Sequence, residues 1–130
     1  MIAFDVKKLQ RISAAELSEG MTVAVGSPYL YGWGTYTGLW KFQLGQVTHI
    51  SPQRNNFAID GKNMRFRDVE IYHPCPAISE EMSRFQNFTR IMRGLDKVQR
   101  MSATHFIGTL EEMQSTAALI EKLVQSSRET

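Results

Sequence analysis

Tyrosine and tryptophan residues alternate with glycines between residues 26 and 39, and these aromatic residues are the first candidates for chemistry. They are Tyr29, Tyr31, Trp33 and Tyr36. Such side chains offer a large, stiff apolar surface with a polar tip, and they dominate the binding energy of many protein interfaces. Because four aromatics exceed what a long loop or irregular hairpin needs, we predict that they contact a protein partner. The alternative is that they only cover one end of the β-structure, while Trp40 and Phe42 belong to its core.

Two clusters of basic residues are candidates for contacts with phosphate groups. The first lies on or beside one predicted hairpin and the second on one face of a predicted helix; the members are Arg54, Lys62, Arg65 and Arg67, then Arg90, Arg93, Lys97 and Arg100. Arg65 and Arg67 would share a face of a strand and track a nucleic-acid backbone. The alternative is a solvated outer face in each case, with some arginines paired to Asp68 or Glu70. The net charge of +2 permits nucleic-acid binding without requiring it.

Residues that could support catalysis or bind a metal are scattered. His49, His73 and His105 lie far apart, and His73-x-Cys75 is too closely spaced and lacks a second pair of zinc ligands. The chain contains no glycine-rich phosphate-binding motif and no serine in a nucleophile elbow. Since an active site needs a convergent set of titratable groups, we predict a protein that is not an enzyme and that has no cofactor, no catalytic residue and no metal site.

Composition indicates an ordinary folded protein. The chain has 130 residues, 42% of them hydrophobic, and a single cysteine, so no internal disulfide can form. That composition fits a reducing compartment. The first residues lack the uninterrupted apolar core of a secretory signal, and no stretch approaches 18 apolar residues. We therefore expect a cytoplasmic protein that does not associate with membranes.

The apolar pattern divides the chain into two halves. Up to residue 72 it is two-fold or irregular, as in residues 21–25, and it predicts short strands. Asp60-Gly61 predicts a tight two-residue hairpin turn. Two prolines after Tyr72 prevent a strand or helix from continuing. We therefore predict a β-domain over residues 1–72, a linker over 73–78 and a helical segment over 79–130.

The helical half carries a seam of apolar residues at alternating steps of four and three. Its members are Phe106, Leu110, Met113, Ala117, Ile120 and Val124. Gly108 precedes Thr109-x-x-Glu112, which has the spacing of a capping box, and this favours two helices, about 79–101 and 109–126, that form an antiparallel hairpin. A single helix of about 45 residues is the alternative, because Gly94 and Gly108 would each weaken it by only about 1 kcal/mol. The seam could also pair two copies of the chain into a homo-oligomer.

Three motifs in the first half resemble the small SH3-like or KOW-like β-barrels often encoded by phages. They are Leu17-x-x-Gly20-Met21-x-Val23-x-Val25, the run from Gln46 to Pro52, and Phe57-x-Ile59-x-Gly61-Lys62-x-x-Arg65-Phe66-Arg67. The resemblance covers about residues 17–72 and implies an α+β protein, in which a small antiparallel barrel precedes the helical segment. Such barrels bind RNA, DNA, peptides or proteins. Our first hypothesis is an adaptor or inhibitor that acts on a protein, such as a host defence or nucleic-acid-processing enzyme. The alternative is a nucleic-acid-binding module that uses the two basic clusters.

Overall fold

A computed structural model describes residues 3–128 and has the predicted α+β composition. The strands are β1 (Thr22–Tyr31), β2 (Thr35–Ile50), β3 (Asn56–Ile59), β4 (Lys62–Arg65) and β5 (Glu70–Tyr72), and the helices are α1 (Pro76–Gln99) and α2 (Leu110–Arg128). Strands within residues 21–72 and helix over most of 79–126 are therefore confirmed. The described chain forms two compact units, one up to Asn87 and one from Phe88 onward. The predicted linker over 73–78 lies inside the first unit and includes the first residues of α1.

The strands form one antiparallel sheet in the order β4-β3-β2-β1-β5. The turn between β3 and β4 is the predicted one, since Asp60 and Gly61 have φ values of 50° and 83°. Among the described residues the outer strands β4 and β5 do not pair with each other, so the sheet is open. The predicted closed barrel is thus not present. These strands have only four and three residues, and a 3-10 turn at Phe66–Asp68 separates them.

Each face of the sheet buries its own apolar core, because successive residues of a strand point to opposite faces. On one face Val23 and Val25 of β1 pack with Phe57 and Ile59 of β3. On the opposite face a second core forms from Ala24, Trp40, Phe42, Tyr72 and Ile78. The alternative in which Trp40 and Phe42 belong to the core is confirmed for these two residues. The second core brings the start of α1 onto the sheet, which fixes the base of the β1–β2 hairpin.

The helix α1 begins three residues earlier than the predicted start at Ser79. Its first residue is Pro76, and proline is favoured there because the first helical N–H needs no partner within the helix. The early start places Ile78 and Glu81 against the sheet, and both are buried.

The second unit is helical and, unlike the first, has no buried core between residues 93 and 126. Residues 100–109 separate α1 from α2 and contain a 3-10 turn at Ala103–Phe106, so the alternative of one long helix is wrong. No residue from 93 to 126 is buried. The predicted hairpin core along the heptad seam therefore does not form within the described chain. In the described residues no helix is long and apolar enough to cross a membrane.

Candidate functional site

The glycine-rich and aromatic segment forms the end of the β1–β2 hairpin and not a long loop. Tyr31 pairs with Thr35, and Gly32-Trp33-Gly34 makes the turn between them. Both glycines have positive φ values, 60° and 99°, which are easily adopted by glycine because it lacks a Cβ. The register of the two strands shifts between Pro28 and Leu30, so the hairpin is irregular, as one of the two predictions had it.

Four exposed apolar side chains lie at the end of this hairpin, and we call them together the hairpin tip. They are Leu30, Tyr31, Trp33 and Tyr36. Trp33 is fully exposed, and the others expose between 42% and 53% of their surface. Leu30 was not among the predicted contact residues, because that prediction rested on aromatic side chains. Its cross-strand pairing with Tyr36 puts these two residues on the same face of the hairpin.

Tyr29 lies apart from the hairpin tip although its sequence context is the same. Its ring contacts Phe85 of α1 edge to face, with the ring centroids 4.9 Å apart. The ammonium group of Lys41, on β2, lies 5.8 Å from the centroid of the Phe85 ring. Tyr29 and Lys41 thus attach the two strands of the hairpin to α1 within the first unit.

A buried carboxylate braces the hairpin where its register shifts. Pro28, which has no N–H, lies opposite Trp40. The backbone N–H of Trp40 donates to Oε2 of Glu81 over 2.8 Å. The Nη1 group of Arg84 donates to Oε1 of the same carboxylate, also over 2.8 Å. Glu81 is 1% exposed, so its bond to Trp40 is shielded from water, whereas the bond to Arg84 is partly buried. Nearby, the N–H of Phe4 donates to the carbonyl of Gly38, which satisfies another group on β2.

The first basic cluster does not act as one surface. Arg54 donates from Nη1 to the carbonyl oxygens of Ala14 and Leu17, so it holds the segment before β1 in place. Arg67 belongs to the 3-10 turn and not to a strand, so the prediction that it shares a strand face with Arg65 is wrong. The remaining members, Lys62 and Arg65, are exposed on β4.

Three members of the second basic cluster lie on the part of α1 that belongs to the second unit, and Arg100 directly follows the helix. Arg90, Arg93, Lys97 and Arg100 are all exposed. Arg100 forms an ion pair with Asp96 one turn earlier, with 3.4 Å between Nη2 and Oδ2. The cluster is therefore a solvated helix face that carries both charge signs.

Two of the three histidines make contacts with residues that the structure describes. His49 lies 3.9 Å from a carboxylate oxygen of Glu19, while Nδ1 of His105 accepts a hydrogen bond from the N–H of Ser102. In residues 3–128 there is no group of three or more histidine, cysteine, aspartate or glutamate side chains placed to bind a metal ion.

Burial, together with a hydrogen bond to Glu70, raises the pKa of Tyr72 well above its ordinary value.

Comparisons of the chain with protein-family models, with curated proteins and with solved structures found no match. The candidate sites are consequently ranked on their geometry. The hairpin tip combines exposed aromatic side chains with a braced backbone, whereas the basic residues divide between structural and solvated positions.

Proposed function

We propose that this protein is a non-catalytic binding protein whose contact surface for a protein partner is the hairpin tip. The observation that carries the proposal is Trp33, a fully exposed tryptophan held at the turn between two strands. A tryptophan in water leaves a large apolar surface unburied, and inserting it into a partner's pocket recovers that free energy. The bond from the Trp40 backbone to Glu81 anchors β2, which lowers the backbone entropy that the hairpin loses on binding.

The chemistry of the hairpin tip defines the kind of pocket it fits. From Gly26 to Trp40 the chain contains no acidic residue, lysine, arginine or histidine. The partner's pocket is therefore apolar, with hydrogen-bond acceptors for the indole N–H and the tyrosine hydroxyls. Binding by such a surface depends little on salt concentration, in contrast to binding through phosphate contacts.

An SH3-like module is the fold that we propose for the β-structure. Two observations support it: β2 takes part in two ladders, and Ile71 of β5 packs in the same core as Phe57 of β3, although two strands separate β5 from β3. A sheet that curls in this way shields one face and leaves a hairpin free for contacts. An adaptor or inhibitor of the phage type, acting in the cytoplasm on a host enzyme, is the role that agrees with this architecture.

The second candidate function is nucleic-acid binding. The observation in its favour is the exposure of Lys62 and Arg65 on β4 and of the arginines on α1. Its weakness is the use of Arg54 and Arg100 in contacts within the chain.

The test is affinity capture from a host-cell lysate, with and without nuclease, using the wild type, Trp33→Ala and Tyr31→Ala. Leu44→Ala is the control, because Leu44 is an exposed apolar residue on β2 away from the turn. We expect the tip variants to lose a protein that the control and the nuclease-treated sample retain. Equal capture by all variants would contradict the proposal, and loss of all capture after nuclease treatment would favour the second candidate.

A further inference from the structure

The two outer strands of the sheet, β4 and β5, differ in whether another segment of the chain is hydrogen-bonded to their outer edge. The outer side of β5 is covered by an earlier segment of the chain: Ile12 N–H donates to the carbonyl of Ile71, and His73 N–H donates to the carbonyl of Gln10. Arg11 and Tyr72 complete this short antiparallel bridge. The outer side of β4 has no such cover from any part of residues 3–128.

The register of the β3–β4 hairpin decides which backbone groups of β4 point outward. Ile59 pairs with Lys62 across the two-residue turn, and Phe57 pairs with Met64. The hydrogen bond from Phe66 N–H to the carbonyl of Asn55 continues the same series of bonded pairs. Since bonded and non-bonded pairs alternate in an antiparallel ladder, Asn63 and Arg65 direct their N–H and C=O groups to the free edge.

A shallow groove of about 620 Å³ runs beside this edge. Asn63 and Arg65 line it from β4, with Asn56 and His49 from the neighbouring strands. Its acidic lining residue, Asp68, lies 3.8 Å from the guanidinium of Arg67, and Lys62 adds a second exposed cation to the edge. Positive charge and amide groups therefore surround the outward backbone groups of β4.

We infer that the edge of β4 binds an extended acidic peptide segment of a partner protein as a sixth strand. Outward N–H and C=O groups that recur every second residue match the backbone of a strand, which supplies both donors and acceptors. A phosphate backbone supplies acceptors and would leave the outward carbonyls unmatched. The cations on the edge oppose pairing with neutral or basic strands, so they select for acidic ones. This site is separate from the hairpin tip and does not depend on it.

The test titrates the full chain, labelled with ¹⁵N, with a synthetic peptide of alternating glutamate and valine residues. Its control is the same peptide with lysine in place of glutamate. We expect chemical-shift changes and slowed hydrogen exchange at the amides of Asn63 and Arg65 with the acidic peptide alone. Trp33→Ala should leave the affinity unchanged, which separates this site from the proposed function of the hairpin tip.

Two variants at one position isolate the contribution of the backbone. Asn63→Pro removes the outward N–H while the inward bonds of the ladder remain, since proline is tolerated on edge strands. We expect it to weaken peptide binding at least tenfold, whereas Asn63→Ala, which keeps the N–H, changes it by less than threefold. Arg65→Glu should reduce the preference for the acidic peptide, since Lys62 is then the remaining cation on β4. The inference is overturned if neither Asn63 nor Arg65 responds in the wild type at millimolar peptide, or if the acidic and basic peptides bind alike.

Discussion

The hairpin tip and the seam of α2 both present apolar side chains to water, but their surroundings differ. The strands that carry Trp33 are braced by a buried carboxylate and by ring contacts to α1. The seam residues of α2, such as Ile120, belong to a stretch without a single buried residue, so the main support of that helix is its own ladder of hydrogen bonds. Exposure alone therefore does not distinguish the two surfaces. An exposed group on a rigid support binds at a lower entropic cost.

The two units should differ most in how much stability is lost when one apolar side chain in each is shortened to alanine. Phe57 is completely buried, so Phe57→Ala should lower the free energy of unfolding by about 3 to 5 kcal/mol. Ile120 is about half exposed, and Ile120→Ala should change it by less than about 0.5 kcal/mol. Urea unfolding followed by circular dichroism measures both. A large loss from Ile120→Ala would mean that α2 packs against something in solution.

The brace under the hairpin can be removed separately. Glu81→Ala leaves the Trp40 N–H without its acceptor in a buried place, which should cost about 2 to 3 kcal/mol. Glu80→Ala, at the exposed neighbouring position, is the control and should change stability by less than about 0.5 kcal/mol. Hydrogen exchange at the Trp40 amide should accelerate only in the first variant. Equal behaviour of the two variants would show that the carboxylate does not support the hairpin.

A third change separates binding from stability at the tip. Once a partner is identified, Trp33→Ala should weaken its affinity by about 2 kcal/mol, or some thirty-fold. The free energy of unfolding should remain within about 0.5 kcal/mol of the wild type, since the side chain is fully exposed. Calorimetric titrations at about 50 and 300 mM salt should give similar affinities if phosphate contacts are absent. A steep salt dependence that Arg65→Ala or Arg93→Ala reduces would instead support nucleic-acid binding.

The smallest expected effect concerns pH. The pKa of Tyr72 is raised in the folded protein, first by burial and then by Glu70, so the folded state holds this proton more tightly than the unfolded chain does. Its contribution to stability is complete below the ordinary tyrosine pKa of about 10 and falls as the pH rises above it. Unfolding measured at about pH 9 and about pH 11 should therefore show a smaller alkaline loss for Tyr72→Phe than for the wild type. An identical loss in both proteins would contradict this assignment.

Local chemistry in the sequence predicted the features that depend on a few neighbouring residues. The Asp60-Gly61 turn needs only positive φ angles, and the strand before it needs only alternation, so both were predictable. The break between the helices also has a local cause, since Ser102 and His105 cap the short turn between them.

Features set by distant contacts were not predictable. Arg54 looks like any surface cation until the fold brings its guanidinium to the carbonyls of Ala14 and Leu17, some 40 residues away in the chain. Tyr29 and Tyr31 belong to the same aromatic segment of the sequence, and the contact of Tyr29 with Phe85 distinguishes its environment from that of the exposed Tyr31. A closed barrel would require β4 to pair with β5. These strands have only four and three residues, which is too short for their sequences to indicate whether they pair.

The placement of the two tryptophans has a practical consequence. Trp33 is bathed in water while Trp40 is enclosed in a core, so their fluorescence should differ in emission wavelength and in accessibility to a soluble quencher. Quenching by acrylamide should remove the long-wavelength component first, and Trp33→Phe should abolish that component. Trp33 is thus an intrinsic fluorescent probe at the hairpin tip. A ligand that covers it should shift its emission to shorter wavelength, so binding can be followed without an added label.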